Sequence, residues 1–300
     1  MRAAVLTAPD RFEVHDRPVP EPAADQLLVR VAACGICGHD VLARKGLLAA
    51  PPGQVLGHEI AGRVEAVGPA GDASWVGRRV ALVQRFPCGT CAECLAGHTN
   101  TCRSGPGFYG EDLPGGYARA AAGDLVLVTG ASGGVGVHTV RIADALGATV
   151  IAVTSSDSRK QALLDSGARA VVTLAEGAPA VRAAAADLGR PRGVDVAIET
   201  TGTPTFGLSL KALAPRGRLA VVGNTDPGAV EVHLGLVILK ELEIAGSAHA
   251  NRRELLDVVD LVSSGKVTPV PPRIWPLGDV AAAHAAVESG ELVGRAVVRP

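Results

Sequence analysis

The sequence predicts an α/β protein in two parts. The first is an irregular, mainly β domain; the second is a doubly wound parallel sheet whose tail returns to the first. Three observations predict this. The first 120 residues are rich in Gly and Pro, with short Val-rich runs. From Asp124 apolar strands alternate with helical stretches. All six cysteines fall between residues 34 and 102. The expected boundaries are 1–122 for the first domain, 123–250 for the second and 251–300 for the return.

In the first part, the runs Leu27–Ala33, Gly62–Val67 and Arg79–Val83 read as strands. In the second, LVLVTG is a buried strand, and VGVHTVRIADALG has helical spacing with a Gly stop. TVIAVT and SRKQALLDSGA repeat the strand–helix unit; AVVTL, VDVAIET and RLAVVG are further strands. Strands alternating with helices require a parallel sheet covered on both faces. The tail holds RRELLDVVDLVSSG, a Pro-rich connection, a helix around DVAAAHAAVESG and a last strand, RAVV.

Composition excludes several function classes. Hydrophobic residues are 47% and charged residues 20%, with a net charge of −1. That balance favours neither nucleic acid nor an anionic membrane as partner. The start, MRAAVLTAPDRFEV, acquires charge at once, so no signal peptide is expected, and no apolar run is long enough to span a bilayer. A cytoplasmic protein acting on a small molecule is the expectation. Cysteines crowded into one third of the chain read as metal ligands in a reducing compartment and not as a disulfide framework.

Cys88, Cys91, Cys94 and Cys102 follow C-x2-C-x2-C-x7-C. Four thiolates on one tight lobe close a tetrahedron around zinc and leave no open position, which defines a structural site. Unconnected thiols or an iron–sulfur cluster are the alternatives. Upstream, AACGICGHD and GHEIAGRVEAVG offer Cys37 and His58, a thiolate and an imidazole of the kind zinc prefers. Asp40 and Glu59 lie close to these in sequence and can orient or balance them. A Cys and a His this far apart are, alone, more often structural; the surrounding glycines let backbone approach a crowded site.

VLVTGASGGVGVHTV places a strand, a glycine turn and a helix in succession, with Ala131, Gly133, Gly134, Val135 and Gly136 forming the turn. Such a turn presents helix N–H groups to a pyrophosphate; an ordinary glycine-rich βα turn is the alternative. An Asp or Glu at the end of the next strand would grip the ribose 2′-OH of NAD. This chain has Thr154, Ser155 and Ser156 there, followed by Arg159 and Lys160. That set suits a 2′-phosphate, so NADP(H) is favoured over NAD(H). Asp157 keeps NAD open, and the two cations also fit a solvated helix face.

These motifs, with the closing ELVGRAVV, resemble the zinc-containing medium-chain dehydrogenases/reductases, the alcohol dehydrogenase superfamily. HDVLARKG, GFYGEDLPGGYAR and HLGLVILKELEIAGS resemble its acryloyl-CoA-reductase-like branch. The resemblance implies a GroES-like catalytic domain and a Rossmann domain. It implies that Cys37 and His58 ligate a catalytic zinc, with Glu59 as an alternate or outer ligand. It implies a proton-relay role for His39 and an orienting one for Asp40. Gly133, Gly134 and Val135 would hold the pyrophosphate, Thr201 and Gly223 would lie near the nicotinamide, and Arg295 would reach a cofactor phosphate. It also implies a homodimer or homotetramer paired through sheet edges, for which Val230–Gly246 supplies an apolar stretch; an internal strand is the alternative for that stretch.

One departure stands out. In the family, GGYA is followed by more catalytic domain, a linker helix and the third protein ligand of the catalytic zinc. Here Gly115-Gly116-Tyr117-Ala118 runs almost directly into Asp124-Leu125-Val126. Beyond that seam only His138, His233, His249 and His284 offer an imidazole, and no Cys remains. Three readings follow: Glu59 becomes the third ligand, the catalytic zinc is lost and hydride transfer proceeds with local acids, or the chain is a shortened, inactive product. The expected function is hydride transfer between NADP(H) or NAD(H) and a small alcohol or carbonyl. The alternatives are NADPH-dependent reduction of an activated C=C bond and a catalytically impaired nucleotide-binding homologue.

Overall fold

In the computed structural model the described residues are 1–48, 50, 52–102, 104–105, 107–108, 122–226, 228–247 and 249–300. The GFYGEDLPGGYAR stretch and the seam after it lie outside them, apart from its first two residues. The chain divides into two compact units, Met1–Asp112 with Pro272–Pro300, and Leu113–Pro271.

The first unit opens with an antiparallel hairpin, β1 (Arg2–Ala8) and β2 (Arg11–Asp16). Next come β3 (Leu27–Ile36), helix α1 (Gly38–Arg44), β4 (Glu59–Val67) and β5 (Arg79–Ala81). The cysteine lobe holds β6 (Arg85–Phe86), the short helix α2 (Ala92–Leu95) and β7 (Gly107–Phe108). The three strands expected from the Val-rich runs are β3, β4 and β5, each sharing one end with its run and differing at the other. The β1–β2 hairpin and α1 are additions that the Gly/Pro texture concealed.

The second unit is a single parallel sheet. Its strands are β8 (Leu125–Val128), β9 (Thr149–Thr154), β10 (Ala170–Thr173), β11 (Val194–Glu199), β12 (Leu213–Val221) and β13 (Glu243–Gly246). Helices α3 (Gly134–Ala145), α4 (Lys160–Leu164), α5 (Gly177–Asp187) and α6 (Thr203–Ala212) connect them; α7 (Leu234–Leu239) precedes β13 and α8 (Arg252–Ser263) follows it. The spatial order is β10-β9-β8-β11-β12-β13. In order of appearance that is 3-2-1-4-5-6, the dinucleotide-binding order, with its direction reversing between β8 and β11. β8 is buried along its whole length, and Leu127, Ile151, Val194 and Leu219 are fully enclosed. Covering both faces of the sheet explains why these strands read as unbroken apolar runs.

The chain then returns to the first unit as β14 (Arg273–Pro276), α9 (Val280–Glu288) and β15 (Ala296–Arg299). The sheet there runs β14-β15-β3-β4-β5, with Ala296 opposite Ile36 and Val297 opposite Gly35. The return was expected to begin at 251; the compact units place α8 with the second. Val270 N donates to His138 Nε2 of α3 (3.3 Å), and Val267 is buried, so the chain stays tied to the second unit until the prolines. The 230–246 stretch splits into helix α7 and strand β13, and β13 is the sheet edge. Among the described residues no helix is long and apolar enough to cross a membrane.

Candidate metal centres and dinucleotide crevice

Cys88, Cys91, Cys94 and Cys102 converge, with their sulfur atoms all within 4.8 Å of one another. Cys88 Sγ lies 4.0 Å from Cys94 Sγ, and Cys91 Sγ 3.8 Å from Cys102 Sγ. A tetrahedron with Zn–S bonds of about 2.3 Å has edges of about 3.8 Å, so the group fits zinc without rearrangement. Backbone N–H groups already face the sulfurs: Cys91 N donates to Cys88 Sγ (3.3 Å) and Cys88 N to Cys102 Sγ (3.2 Å). The Thr90 hydroxyl, followed by the Thr90 and Cys91 N–H groups, pulls the Cys88 thiol down to about 6; burial pushes Cys94 up to about 12. Four thiols so close cannot all ionise without a cation between them.

The second group forms where β3 meets α1. Cys37 is the N-cap of α1, and Asp40 in the first turn accepts from Cys37 N (2.9 Å). Asp40 also lies 3.4 Å from His58 Nδ1, which leaves Nε2 facing Cys37 Sγ at 3.1 Å. A proton on Nδ1 shared with Asp40 presents the Nε2 lone pair to the site. The S···N distance is somewhat shorter than the edge of about 3.5 Å that a tetrahedral zinc needs, so a small opening admits the ion. Burial opposes charge on His58, but its bonds to Asp40 and Cys37 outweigh this and raise it to about 10. The negative surroundings that hold a proton there also suit a metal cation.

Glu59 completes the group: Cys37, His58 and Glu59 each bring a ligand atom within 4.8 Å of the others. It opens β4 directly opposite Gly35 of β3. A Cβ at Gly35 would stand 2.2 Å from Glu59 Oε2, so only glycine leaves room for that carboxylate. Arg295, expected at a cofactor phosphate, is placed here: its Nη2 lies 3.0 Å from Glu59 Oε1, and its Nη1 donates to Ile36 O (3.4 Å). The His39 ring stands edge-on to His58 with centroids 5.4 Å apart. The sixth cysteine, Cys34, stays outside the group, and burial with the nearby Asp40 pushes its thiol up to about 12. Of the four downstream histidines, His284 comes within electrostatic reach of Asp40 without joining the Cys37, His58 and Glu59 group.

In the second unit, β8 runs into the glycine turn as expected. Gly133 caps α3, and the first helical bond is Val137 N to Gly133 O, which leaves the N–H groups of Gly134, Val135 and Gly136 ahead of it. A Cβ at Gly136 would meet Gly130 O at 2.2 Å, so close strand–helix packing fixes this glycine; Ala131 is fully buried. At the end of β9, Arg159 Nη1 donates to Ser155 Oγ (3.1 Å) and Ser132 Oγ (3.4 Å), bringing the guanidinium to the turn. Lys160 points elsewhere, to Asp157 (2.8 Å) and Glu176 (3.4 Å). Thr154 is buried. Thr201 bonds through N and Oγ1 to Glu199, and Gly223 N donates to Glu199 O. The sequence reading missed Glu199; an acidic residue ending the apolar strand VDVAIE was the available signal.

One unit holds two groups of side chains able to bind a metal and the other a dinucleotide-type sheet, the parts of a nicotinamide-dependent oxidoreductase. Residues 23–129 match the alcohol dehydrogenase GroES-like domain, and residues 134–264 the zinc-binding dehydrogenase domain. The chain is 31% identical to acryloyl-coenzyme A reductase of Sulfurisphaera tokodaii over 343 residues, covering 100% of both chains. It is 29% identical to an NAD-dependent alcohol dehydrogenase of Saccharolobus solfataricus, covering 94% of each. A solved NAD-dependent alcohol dehydrogenase superposes with a TM-score of 0.89 at 28% identity, covering 100% of both chains. The chain belongs to the zinc-containing medium-chain dehydrogenases/reductases, the alcohol dehydrogenase superfamily, and is an NAD(P)-dependent oxidoreductase of that family. An alignment of 343 positions against a chain of 300 leaves about 43 positions of the Sulfurisphaera protein without a counterpart here.

Proposed function

We propose that the chain transfers hydride between NADP(H) and a small carbonyl or alcohol, with a catalytic zinc on Cys37, His58 and Glu59 and a structural zinc on the four-cysteine lobe. The convergence of Cys37, His58 and Glu59 carries this reading, because it supplies three protein ligands without the absent segment. Zinc bound there supplies Lewis acidity toward a substrate oxygen, and the nicotinamide supplies or takes up hydride. Asp40 fixes the His58 ring and its tautomer. His39, whose ring stands edge-on to His58, moves the substrate proton to or from solvent. Gly134, Val135 and Gly136 hold the pyrophosphate, and Thr201 and Gly223 position the nicotinamide. Arg159, braced by Ser132 and Ser155, is the cation available for a 2′-phosphate; Lys160 is engaged by two carboxylates. Arg295 neutralises Glu59, and a cofactor phosphate is its second partner. The exposed edge β13, with Leu234 and Ile238 of α7 also exposed, suits pairing of two copies.

A second reading is supported by the likeness to acryloyl-coenzyme A reductase. In it, hydride passes from NADPH to the β-carbon of an unsaturated thioester. Zinc content measured alongside NADPH and NADH turnover on aldehydes and on crotonyl-CoA tests both. We expect about two zinc per chain, about one in Glu59→Gln, aldehyde turnover lost with the second zinc, and an NADPH preference that Arg159→Ala abolishes. One zinc per chain, with turnover indifferent to Glu59→Gln, would remove the zinc mechanism; turnover of crotonyl-CoA alone would establish the second reading. No turnover on either panel would mark the impaired homologue.

A further inference from the structure

Glu199 ends β11 at the point where the sheet order reverses, and it is fully buried. Two backbone N–H groups and four hydroxyls, those of Thr201 and Thr205 also bonded to each other, surround its carboxylate. Oε1 accepts from Thr129 Oγ1 (2.8 Å), Thr201 N (2.9 Å), Thr201 Oγ1 (3.0 Å), Gly202 N (2.9 Å) and Thr205 Oγ1 (2.5 Å); Oε2 accepts from Ser209 Oγ (2.6 Å). Its backbone carbonyl takes Val222 N (2.7 Å) and Gly223 N (3.2 Å). One residue thus ties together the ends of β8, β11 and β12 and the start of α6, the pieces that line the crevice.

Bracing alone does not require a charge. All six donors are neutral, and burying a carboxylate without a cation is costly compared with burying a neutral acceptor of the same shape. The crevice above it takes a ligand whose charge changes in the reaction. A reduced nicotinamide gives up hydride, two electrons with one proton, and its ring becomes cationic; the oxidised ring accepts hydride and becomes neutral. Ligands of this fold bind outside the carboxyl ends of the strands at the point of reversal, where Glu199 lies. We propose that Glu199 sets the redox poise of the bound nicotinamide, its buried negative charge favouring the cationic, oxidised ring over the neutral, reduced one. At an effective dielectric of about 20, a buried unit charge close to the ring would change such an equilibrium on the order of tenfold. This rests on the assignment of the crevice to the nicotinamide end of the cofactor.

The test compares dissociation constants of NADP+ and NADPH for the wild-type chain and Glu199→Gln, measured by calorimetry and nucleotide fluorescence. Glu199→Gln keeps the shape and removes the charge. Affinity for NADP+ should fall on the order of tenfold more than affinity for NADPH, equivalent to roughly 30 mV in the two-electron potential of the bound cofactor. Equal loss for both forms would reduce Glu199 to a brace and overturn the proposal. Should Glu199→Gln not fold, Glu199→Asp serves, because it retains the charge: both affinities should fall together, and a change in their ratio would overturn the proposal. Wild-type protein that binds neither nucleotide would instead sink the dinucleotide assignment beneath it.

Discussion

The cysteine lobe and the parallel sheet hold their shapes by different means. In the lobe, α2 buries no residue and Leu95 is 76% exposed; among the described residues only Asn100 and Cys102 are enclosed. Four sulfurs occupy the place of a core. In the sheet, Leu125, Leu127, Ile151 and Leu219 pack at 0–1% exposure, with helices on both faces. On the proposed structural zinc, the first region draws its fold from a ligand, whereas the second depends on apolar area removed from water. Each therefore fails under a different insult.

The largest effect is expected from metal removal. Zinc bound by small thiolate sites contributes about 10–16 kcal/mol of folding free energy near neutral pH. A strong chelator should open residues 88–102 to proteolysis while the second unit still binds NADPH. Loss of nucleotide binding in step with zinc would show that the two regions do not stand apart. The converse test is Leu127→Ala in β8, which should cost about 2–5 kcal/mol in urea unfolding of the second unit. Zinc content should be unchanged, and its loss at native temperature would break the distinction from the other side.

The smallest effect sharpens the contrast within the first unit, whose core is partly polar. His284 of α9 is 2% exposed, packs at 5.0 Å from the Phe12 ring, and has no hydrogen-bond partner at Nδ1. Burial holds it down to about 4, with Arg44 acting in the same direction and Asp40 and Glu288 against it. The unfolded chain, with an ordinary imidazole near 6.5, takes up the proton first. Stability is therefore full above pH 6.5 and declines as pH falls toward 4, by up to about 3 kcal/mol. Urea midpoints between pH 7.5 and 4.5 should show this slope, and His284→Leu should flatten it. An unchanged slope in that variant would assign the acid sensitivity to other groups.

Much of this was legible in the chain itself, for local reasons. The cysteine spacing fits one tight lobe. The strand–glycine–helix run in VLVTGASGGVGVHTV contains nearly all of its geometry within a few consecutive residues. Other features failed for equally physical reasons. The 230–246 stretch carries apolar residues on both sides of Lys240 and Glu241 with no glycine or proline between Leu236 and Ile244, so periodicity could not separate α7 from β13. The β1–β2 hairpin has weak alternation and a turn at Asp10, a residue with positive φ and no glycine to mark it. The helix Arg252–Ser263 was assigned to the returning segment because nothing in its own residues shows that the chain after it is tied to His138.

Residue type and spacing determined by themselves the two-part α/β architecture, the convergence of the four cysteines on one lobe, the candidacy of Cys37 and His58, and the strand–glycine–helix turn. Only the tertiary structure decided that Glu59 lies over Gly35 beside Cys37 and His58, that Arg159 and not Lys160 reaches the turn, and that Arg295 meets Glu59. It alone revealed that Glu199 gathers its donors from three strand ends and a helix. Short-range geometry follows from covalent connectivity and backbone preferences. Which distant side chains meet depends on the register of strands such as β3, β4 and β15, and packing sets that register only when the whole sheet has formed.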